Sequence, residues 1–228
     1  MVLSLLSPSD TGEYRCLKDL NLYVSTDCQE LSTQAGKGRH IKIISQEKTE
    51  NVVKVIVCED NYPAWLKLSD LEYLQPATIV YQARTKQSEE ISSLIPKVVE
   101  FTHKAMSVPN YYLWGGTVAP NYDCSGLMQC AFASAGIWLP RDSYQQEDFT
   151  QRIDREELTV GDLIFFGETK VNHVALYLGD NQYIHSSGTE YGNNGIGINT
   201  LAENIDRVST NYYKQLWSFG RVTQSFIP

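Results

Sequence analysis

One cysteine and two histidines in this sequence have the surroundings that nucleophilic catalysis requires. Cys124 lies in Asp-Cys-Ser-Gly, directly before an apolar pattern that predicts a helix with one buried face. Cys124 would then lie at the helix N-terminus, where free amides and the helix dipole favour a thiolate and a nearby oxyanion. Asp123 and Ser125 are suited to capping the first turn. On this stretch alone, a small buried structural cysteine is an equally open alternative.

The two histidines could supply a base and a residue that orients it. His173 begins the alternating segment His-Val-Ala-Leu-Tyr-Leu, and His185 lies in Tyr-Ile-His-Ser-Ser, with the turn Gly-Asp-Asn at 179–181 between them. The two segments should pair as antiparallel strands, which brings His185 beside His173. The compact apolar run at 161–167 predicts a neighbouring strand, so the histidine hairpin should lie within a sheet.

These motifs, in this order, resemble the NlpC-type cysteine peptidases, bacterial enzymes that cut peptidoglycan stem peptides. The resemblance implies that Cys124 is the nucleophile, His173 the general base and later the acid, and His185 the third residue, which orients His173. It also implies that Tyr112, in Tyr-Leu-Trp-Gly-Gly, is placed near the oxyanion. Further residues of the matching motifs are expected to bind substrate: Trp114, Asp123, Ser125, Arg141, Asp142 and Ser143.

The resemblance covers about residues 91–228 and implies an α+β, papain-like catalytic domain, in which a helical layer carries Cys124 against an antiparallel sheet. Residues 1–76 resemble an all-β SH3-like barrel domain, because short strands alternate there with turn residues. The polar segment 77–90 is the predicted linker. The apolar stripe after residue 91 predicts a helix whose regular part begins near Ser93, because Pro96 would then lie in its first turn.

Composition and charge argue against several classes of function. The chain has 19 Lys and Arg against 27 Asp and Glu, a net charge of −8, and no basic cluster. It is therefore a poor candidate for binding nucleic acid or an anionic membrane. Residues 1–8 lack the features of a secretory signal, and no stretch is long enough to span a membrane. We therefore expect a cytoplasmic protein. The sequence does not reveal its oligomeric state, for which a monomer is the default expectation.

The cysteines form neither a disulfide framework nor a zinc knuckle, because the five are odd in number and include no CxxC pair. Cys130 follows Cys124 by six residues and should face another side of the helix. Cys124, His173 and His185 could in principle bind zinc. Since the family resemblance already assigns a role to all three, we expect no metal and no cofactor.

The family resemblance implies hydrolysis of the bond between γ-D-glutamate and a diamino acid, meso-diaminopimelate or lysine. Two alternatives stay open: an amidase that cuts between muramic acid and L-alanine, and a non-catalytic cell-wall-binding module. The lack of a signal favours short stem peptides that are returned for recycling, with a free amine on L-alanine. In similar two-domain endopeptidases the SH3-like barrel limits substrate length, and we predict that Tyr62 and Asp70 bind the terminal ammonium. The alternative is that these two residues are only a surface turn and an exposed charge.

Overall fold

The computed structural model describes residues 6–44 and 51–228. Residues 1–5, which belong to the segment searched above for a signal, lie outside the described ranges, as do residues 45–50. By its contacts the chain divides into two compact units. The first runs up to Ala83 and includes Trp114–Val118 and Ile227–Pro228, and the second comprises Arg84–Leu113 and Ala119–Phe226. None of the described helices has the length and apolar character of a membrane span.

The first unit is built from short strands, as the alternating sequence predicts. They are β1 (Glu13–Cys16), β2 (Leu20–Tyr23), β3 (Leu31–Ala35), β4 (His40–Ile43), β5 (Val52–Val57), β6 (Tyr62–Lys67), β7 (Leu74–Pro76) and β8 (Thr117–Val118). The first seven form one sheet in the order β3-β2-β6-β5-β4-β1-β7, with antiparallel pairing throughout. A 3-10 turn at Leu68–Tyr73 connects β6 to β7. The all-β character of this region is therefore confirmed.

The second unit combines four helices with an antiparallel sheet. Its elements are α1 (Ser88–Met106), β9 (Asn121–Tyr122), α2 (Cys124–Ser134), α3 (Ser143–Phe149), β10 (Gln151–Ile153), β11 (Leu163–Gly167), β12 (Val171–Gly179), β13 (Gln182–Ser187), β14 (Gly195–Thr200), α4 (Arg207–Lys214) and β15 (Leu216–Arg221). Six strands form a sheet in the order β10-β15-β11-β12-β13-β14. The predicted α+β arrangement of the catalytic region is confirmed.

Both faces of the central strands are buried, which explains their continuous apolar sequences. Val174 and Leu176 of β12 pack in the core that includes α1 and α2. Ala175 and Tyr177 point to the other face and pack in a second core with Tyr212 of α4. Because side chains alternate along a strand, His173 lies on the face that α4 covers.

Helix α1 begins earlier than the sequence predicts. It starts at Ser88 rather than near Ser93, because Gln87 and Glu90 form a capping box, in which the Gln87 N–H donates to Glu90 Oε2 at 3.4 Å. Pro96 therefore lies inside the helix, where it removes one backbone hydrogen bond. Its side chain and that of Ser92, whose carbonyl loses the donor, are exposed, so water can replace the missing bond.

Candidate active site

Cys124 is the first residue of α2, as predicted, and is 5% exposed. Asp123 is the N-cap, and its Oδ1 accepts a hydrogen bond from the Gly126 N–H at 2.6 Å. Ser125 does not cap the helix, because its Oγ lies 3.3 Å from Asp123 Oδ1 and interacts with that carboxylate instead. The sequence Asp-Cys-Ser-Gly thus fixes the thiol at the start of a helix through the residue before it.

Burial dominates the ionisation of the thiol. It raises the pKa of Cys124 to about 12, and the negative charge of Asp123 acts in the same direction. The backbone N–H groups of Val174 and Ser125 and the positive charge of Arg141 lower the pKa but do not compensate. The helix N-terminus therefore lowers the pKa of the thiol, as expected, but burial outweighs this effect. The resting thiol is protonated, so a base is needed to form the thiolate.

The two histidines face each other across the predicted hairpin. His173 Nε2 lies 2.7 Å from His185 Nδ1. The turn between β12 and β13 has positive φ at Asp180 (48°) and Asn181 (56°), the geometry of a tight two-residue hairpin turn. The prediction that this turn brings the histidines together is confirmed.

A chain of hydrogen bonds determines which nitrogen of His173 is available to accept a proton. Asn199 Nδ2 lies 3.5 Å from Asp206 Oδ1, a carboxylate that can only accept, so Asn199 Oδ1 faces His185 Nε2 at 3.0 Å. His185 then donates from Nε2 and accepts at Nδ1 from His173 Nε2–H. Asn193 Nδ2 is further from His185 Nε2, at 3.3 Å, and donates to Asn199 Oδ1 at 2.7 Å. His173 Nδ1 therefore carries the lone pair that can take a proton.

Burial keeps both imidazoles neutral. It lowers the pKa of His185 to about 4, although the bond to Asn199 opposes this shift. Burial also lowers the pKa of His173 well below 6.5, and His185 adds to the effect. Neutral imidazole is the form that can act as a general base. Within residues 6–44 and 51–228, no three His, Cys, Asp or Glu residues are grouped so that they could hold a metal.

Tyr112 lies near the thiol, as expected for a residue beside the oxyanion. Burial raises the pKa of its half-buried phenol, and a negative charge on Cys124, when the thiol is ionised, or on Asp123 raises it further. The hydroxyl is therefore a hydrogen-bond donor throughout the physiological pH range. Tyr212 also lies within electrostatic range of Cys124.

Arg141 and Asp123 form a buried ion pair beneath the start of α2. Arg141 Nη1 and Nη2 lie 3.1 and 2.5 Å from the two Asp123 oxygens, and Nη1 lies 3.0 Å from Ser125 Oγ. Arg141 is 1% exposed. Asp142 caps α3, and Ser143 is the first residue of that helix. These contacts hold the loop to α2, and the expected role of these residues in substrate binding stays a prediction.

Three predicted substrate-binding residues belong to the first unit. Trp114 is 61% exposed. Tyr62 begins β6, and Ser32 Oγ lies 3.4 Å from its hydroxyl. Asp70 lies in the 3-10 turn after β6. Their contribution to substrate binding also stays a prediction.

Sequence reasoning missed the residues on the far side of the histidine pair: Asn193, Asn199, Asp206 and Tyr212. Only Asp206 carried a local signal, because Asp followed three residues later by Ser209 is compatible with a helix start. Asp206 Oδ1 accepts from the Ser209 N–H at 2.8 Å. The others depend on the pairing of β13 with β14 and on the packing of α4, which no short motif encodes.

A protonated thiol at a helix N-terminus and a neutral, oriented histidine on the adjoining sheet form the arrangement of a cysteine peptidase site. Comparison with known proteins then gives the family. The model described as NlpC/P60 family matches residues 109–221, and that described as bacterial dipeptidyl-peptidase Sh3 domain matches residues 22–71. A probable endopeptidase NlpC homolog from Haemophilus influenzae is 34% identical over 137 residues, which cover 60% of this chain and 70% of that protein. The chain belongs to the NlpC/P60 family.

A second relative matches more of the chain. The γ-D-glutamyl-L-lysine dipeptidyl-peptidase of Bacillus cereus is 27% identical over 183 residues, which cover 78% of this chain and 50% of that protein. The solved structure of an NlpC/P60 family protein from Bacillus cereus has 23% identity and a TM-score of 0.47 over 96% of this chain and 64% of that one. This chain spans half the length of the dipeptidyl-peptidase.

Proposed function

We propose that this chain is a cysteine endopeptidase that hydrolyses the γ-D-glutamyl bond to meso-diaminopimelate or lysine in peptidoglycan stem peptides. The observation that carries the proposal is the 2.7 Å contact between His173 Nε2 and His185 Nδ1, because it reserves His173 Nδ1 for the reaction. The N–H of Val174, the residue after His173, interacts with the Cys124 thiol. The choice of bond is supported by the similarity to a γ-D-glutamyl-L-lysine dipeptidyl-peptidase.

In the proposed acylation step, His173 Nδ1 takes the thiol proton while Cys124 Sγ attacks the carbonyl carbon of the γ-amide. Proton transfer accompanies the attack because burial disfavours a thiolate before the substrate arrives. The backbone N–H of Cys124 and the Tyr112 hydroxyl stabilise the oxyanion. His173 then gives its proton to the leaving amine of the diamino acid, the C–N bond breaks, and a thioester to Cys124 remains.

In the proposed deacylation step, His173 takes a proton from water, and the hydroxide attacks the thioester carbonyl. The tetrahedral intermediate collapses with release of Cys124 sulfur, which recovers the proton from His173. The products are a γ-carboxylate on D-glutamate and the free diamino acid or a peptide that begins with it. His185 keeps the imidazole in one tautomer during both steps.

We further propose that the substrates are short stem peptides with a free L-alanine amine, cleaved in the cytoplasm during recycling of murein. Tyr62 and Asp70 are the proposed ligands of that ammonium. A carboxylate and a hydroxyl are suitable partners. By analogy with a buried charge pair, an ammonium held by one carboxylate in a partly desolvated pocket should be worth about 2–4 kcal/mol over a neutral N-acyl group, or about 30- to 1000-fold in kcat/KM.

Mass spectrometry of the products from defined stem peptides tests the proposed bond. L-Ala-γ-D-Glu-meso-diaminopimelate should give L-Ala-D-Glu and free diaminopimelate. Release of L-alanine peptides from muramic acid would instead identify an amidase. Binding of wall fragments without any turnover would identify a binding module.

A second measurement tests the ammonium ligands. kcat/KM for the free tripeptide should exceed that for its N-acetyl derivative, and Asp70→Asn should reduce this ratio. Asp27→Asn is the matched control, since Asp27 is an exposed carboxylate of the same unit that interacts with Ser25 at 2.7 Å. Equal kcat/KM values for the free and acetylated peptides would refute the proposed selection for a free amine.

A further inference from the structure

The aromatic ring of Tyr212 lies against the hydrogen bond that joins the two histidines. Its centroid is 4.4 Å from the His173 ring, with an interplanar angle of 31°, and 4.8 Å from the His185 ring, at 84°. Tyr212 is 6% exposed. One tyrosine therefore stacks on the base and meets the orienting histidine edge to face.

The same hydrogen-bonded chain that fixes the tautomer also fixes the helix that carries Tyr212. Asp206, which faces Asn199, is the N-cap of α4 and accepts from the Ser209 N–H at 2.8 Å. Ser209 Oγ in turn accepts from the Thr200 N–H of β14 at 3.0 Å. The contacts within residues 199–209 thus set both the position of Asn199 and the start of the helix that carries the Tyr212 ring.

We propose that Tyr212 is a positioning residue for the catalytic histidines: its ring shields the His173–His185 hydrogen bond from water and holds His173 with Nδ1 directed to the reaction. This inference rests on the proposed function, in which His173 is the base. It adds a residue that lies 39 positions after His173 in the sequence and belongs to none of the motifs that the sequence offers.

Two physical effects support a role for the ring. A hydrogen bond is stronger where water is excluded. An imidazole held by such a bond spends little time in rotamers that direct Nδ1 away from the reaction. In addition, His173 becomes an imidazolium when it takes the thiol proton. A cation within about 6 Å of an aromatic ring centroid is stabilised by the face of the ring, and the 4.4 Å stacking meets that condition.

The hydroxyl of Tyr212 has a different partner. It shares a hydrogen bond with the Ser187 side chain, which is fully buried at the end of β13. Ser187 Oγ also accepts from the Asn193 N–H at 2.9 Å. The hydroxyl therefore links α4 to the loop after β13, whereas the ring covers the histidines. Variants that remove only the hydroxyl, or the whole ring, can separate these two roles.

The test compares four proteins: wild type, Tyr212→Phe, Tyr212→Leu and Tyr213→Leu. Tyr212→Phe retains the ring, and Tyr212→Leu retains apolar bulk without it. Tyr213→Leu is the matched control, because Tyr213 follows Tyr212 in α4 but contacts Arg155. The Tyr213 ring centroid lies 5.5 Å from Arg155 Cζ, and the Tyr213 hydroxyl accepts from Arg155 Nη1 at 3.0 Å. If Tyr212→Leu does not fold, Tyr212→Met replaces it with the same expectation.

Two quantities are measured: kcat and KM on the stem tripeptide, and the exchange rate of the His173 Nε2–H proton with water by NMR of histidine-labelled protein. Tyr212→Leu should lower kcat by about ten- to hundredfold, part of the 10²–10⁴ that a positioned base contributes, with little change in KM. Its Nε2–H proton should exchange about tenfold faster or more. Tyr212→Phe and Tyr213→Leu should stay near wild type in both quantities.

Wild-type proton exchange in folded Tyr212→Leu would overturn the inference, even if kcat fell. Equal damage from Tyr212→Phe would overturn it as well, because the hydroxyl would then be the important group. If the wild-type chain cleaves none of the stem peptides, the proposed function fails. The exchange rates of the same four proteins still decide whether the ring protects the histidine pair.

Discussion

Arg141 binds both carboxylate oxygens of Asp123, the residue that caps the helix beginning with Cys124. The guanidinium is the right shape for this contact, since its planar fork matches a carboxylate at two points. A buried ion pair thus fixes the N-cap residue that directly precedes Cys124. This pair connects the loop at 140–142 to the start of α2.

Removal of Arg141 should destabilise the fold as well as the site. Arg141→Ala leaves the Asp123 carboxylate buried without its counterion, and loss of one partner of a buried pair costs about 3–5 kcal/mol. Urea unfolding measures the change. Lys104→Ala is the control, because Lys104 pairs with Glu100 on an exposed face of α1, and it should leave the midpoint unchanged. Equal midpoints for Arg141→Ala and wild type would contradict this prediction.

Cys124→Ala should abolish hydrolysis of the stem tripeptide without unfolding the chain, because Cys124 is the proposed nucleophile and its side chain is small. Cys130→Ala is the matched control, since Cys130 is a half-buried cysteine of the same helix. It should retain wild-type kcat. Equal turnover by the two variants would show that the thiol of Cys124 is not the nucleophile.

The two histidines should differ in their effect on kcat. His173→Ala removes the proposed base and should be nearly as damaging as Cys124→Ala. His185→Asn or His185→Gln retains a polar group that can accept from His173 Nε2–H, so part of the rate should remain. A complete loss in both His185 variants would mean that this residue does more than orient His173.

The buried histidines should make the fold less stable in mild acid. Their pKa values lie below 6.5 in the folded chain, near 4 for His185, so below about pH 6.5 the unfolded chain binds protons that the folded chain does not. The free energy of unfolding should therefore fall as the pH decreases toward 4, by on the order of 3 kcal/mol for His185. Urea midpoints at two pH values measure this loss.

His185→Gln should reduce that dependence on pH, because glutamine does not titrate. His103→Gln is the control, since His103 is an exposed residue of α1 and should leave the dependence unchanged. If the free energy of unfolding falls by the same amount at low pH in wild type and His185→Gln, the pH dependence arises from other groups.

Chelation of metals should leave hydrolysis unchanged, because the proposed reaction uses only a thiol, imidazoles and hydrogen-bond donors. The measurement is kcat/KM before and after dialysis against EDTA. Loss of activity that zinc restores would contradict the cysteine mechanism and would favour Cys124, His173 and His185 as zinc ligands.

Much of the site could be predicted because its signals are local. An apolar stripe that begins directly after Cys124 locates the helix, and a two-residue turn flanked by alternating residues locates the hairpin. Once these elements are fixed, the side-chain period of the strands brings His185 beside His173. The α+β class and the all-β first unit follow from the same patterns.

The remaining features depend on packing between distant segments. Helix α4 is short and polar, and only the sheet face that it covers makes Tyr212 a buried residue. The ionisation of Cys124 also could not be predicted, because a sequence shows the helix N-terminus but not how deeply the thiol is buried. The sequence predicts too late a start for α1, because the rule that places Pro96 in a first turn competes with the capping box of Gln87 and Glu90, which starts the helix at Ser88.

The placement of both histidines on one hairpin has a consequence for how the site assembles as the chain folds. Only 12 positions separate His173 from His185, whereas the segment from Cys124 to His173 is about four times longer, and each doubling of a loop adds about 0.6 kcal/mol to the entropic cost of closing it. A local hairpin contact of this kind can form before the layers dock. The proposed base and its orienting residue can thus meet at a small entropic cost, whereas Cys124, the proposed nucleophile, meets His173 only when the two layers dock. We therefore expect the Cys124 thiol of a partly folded chain to react as an ordinary cysteine, and the proposed hydrolysis to require the docked layers.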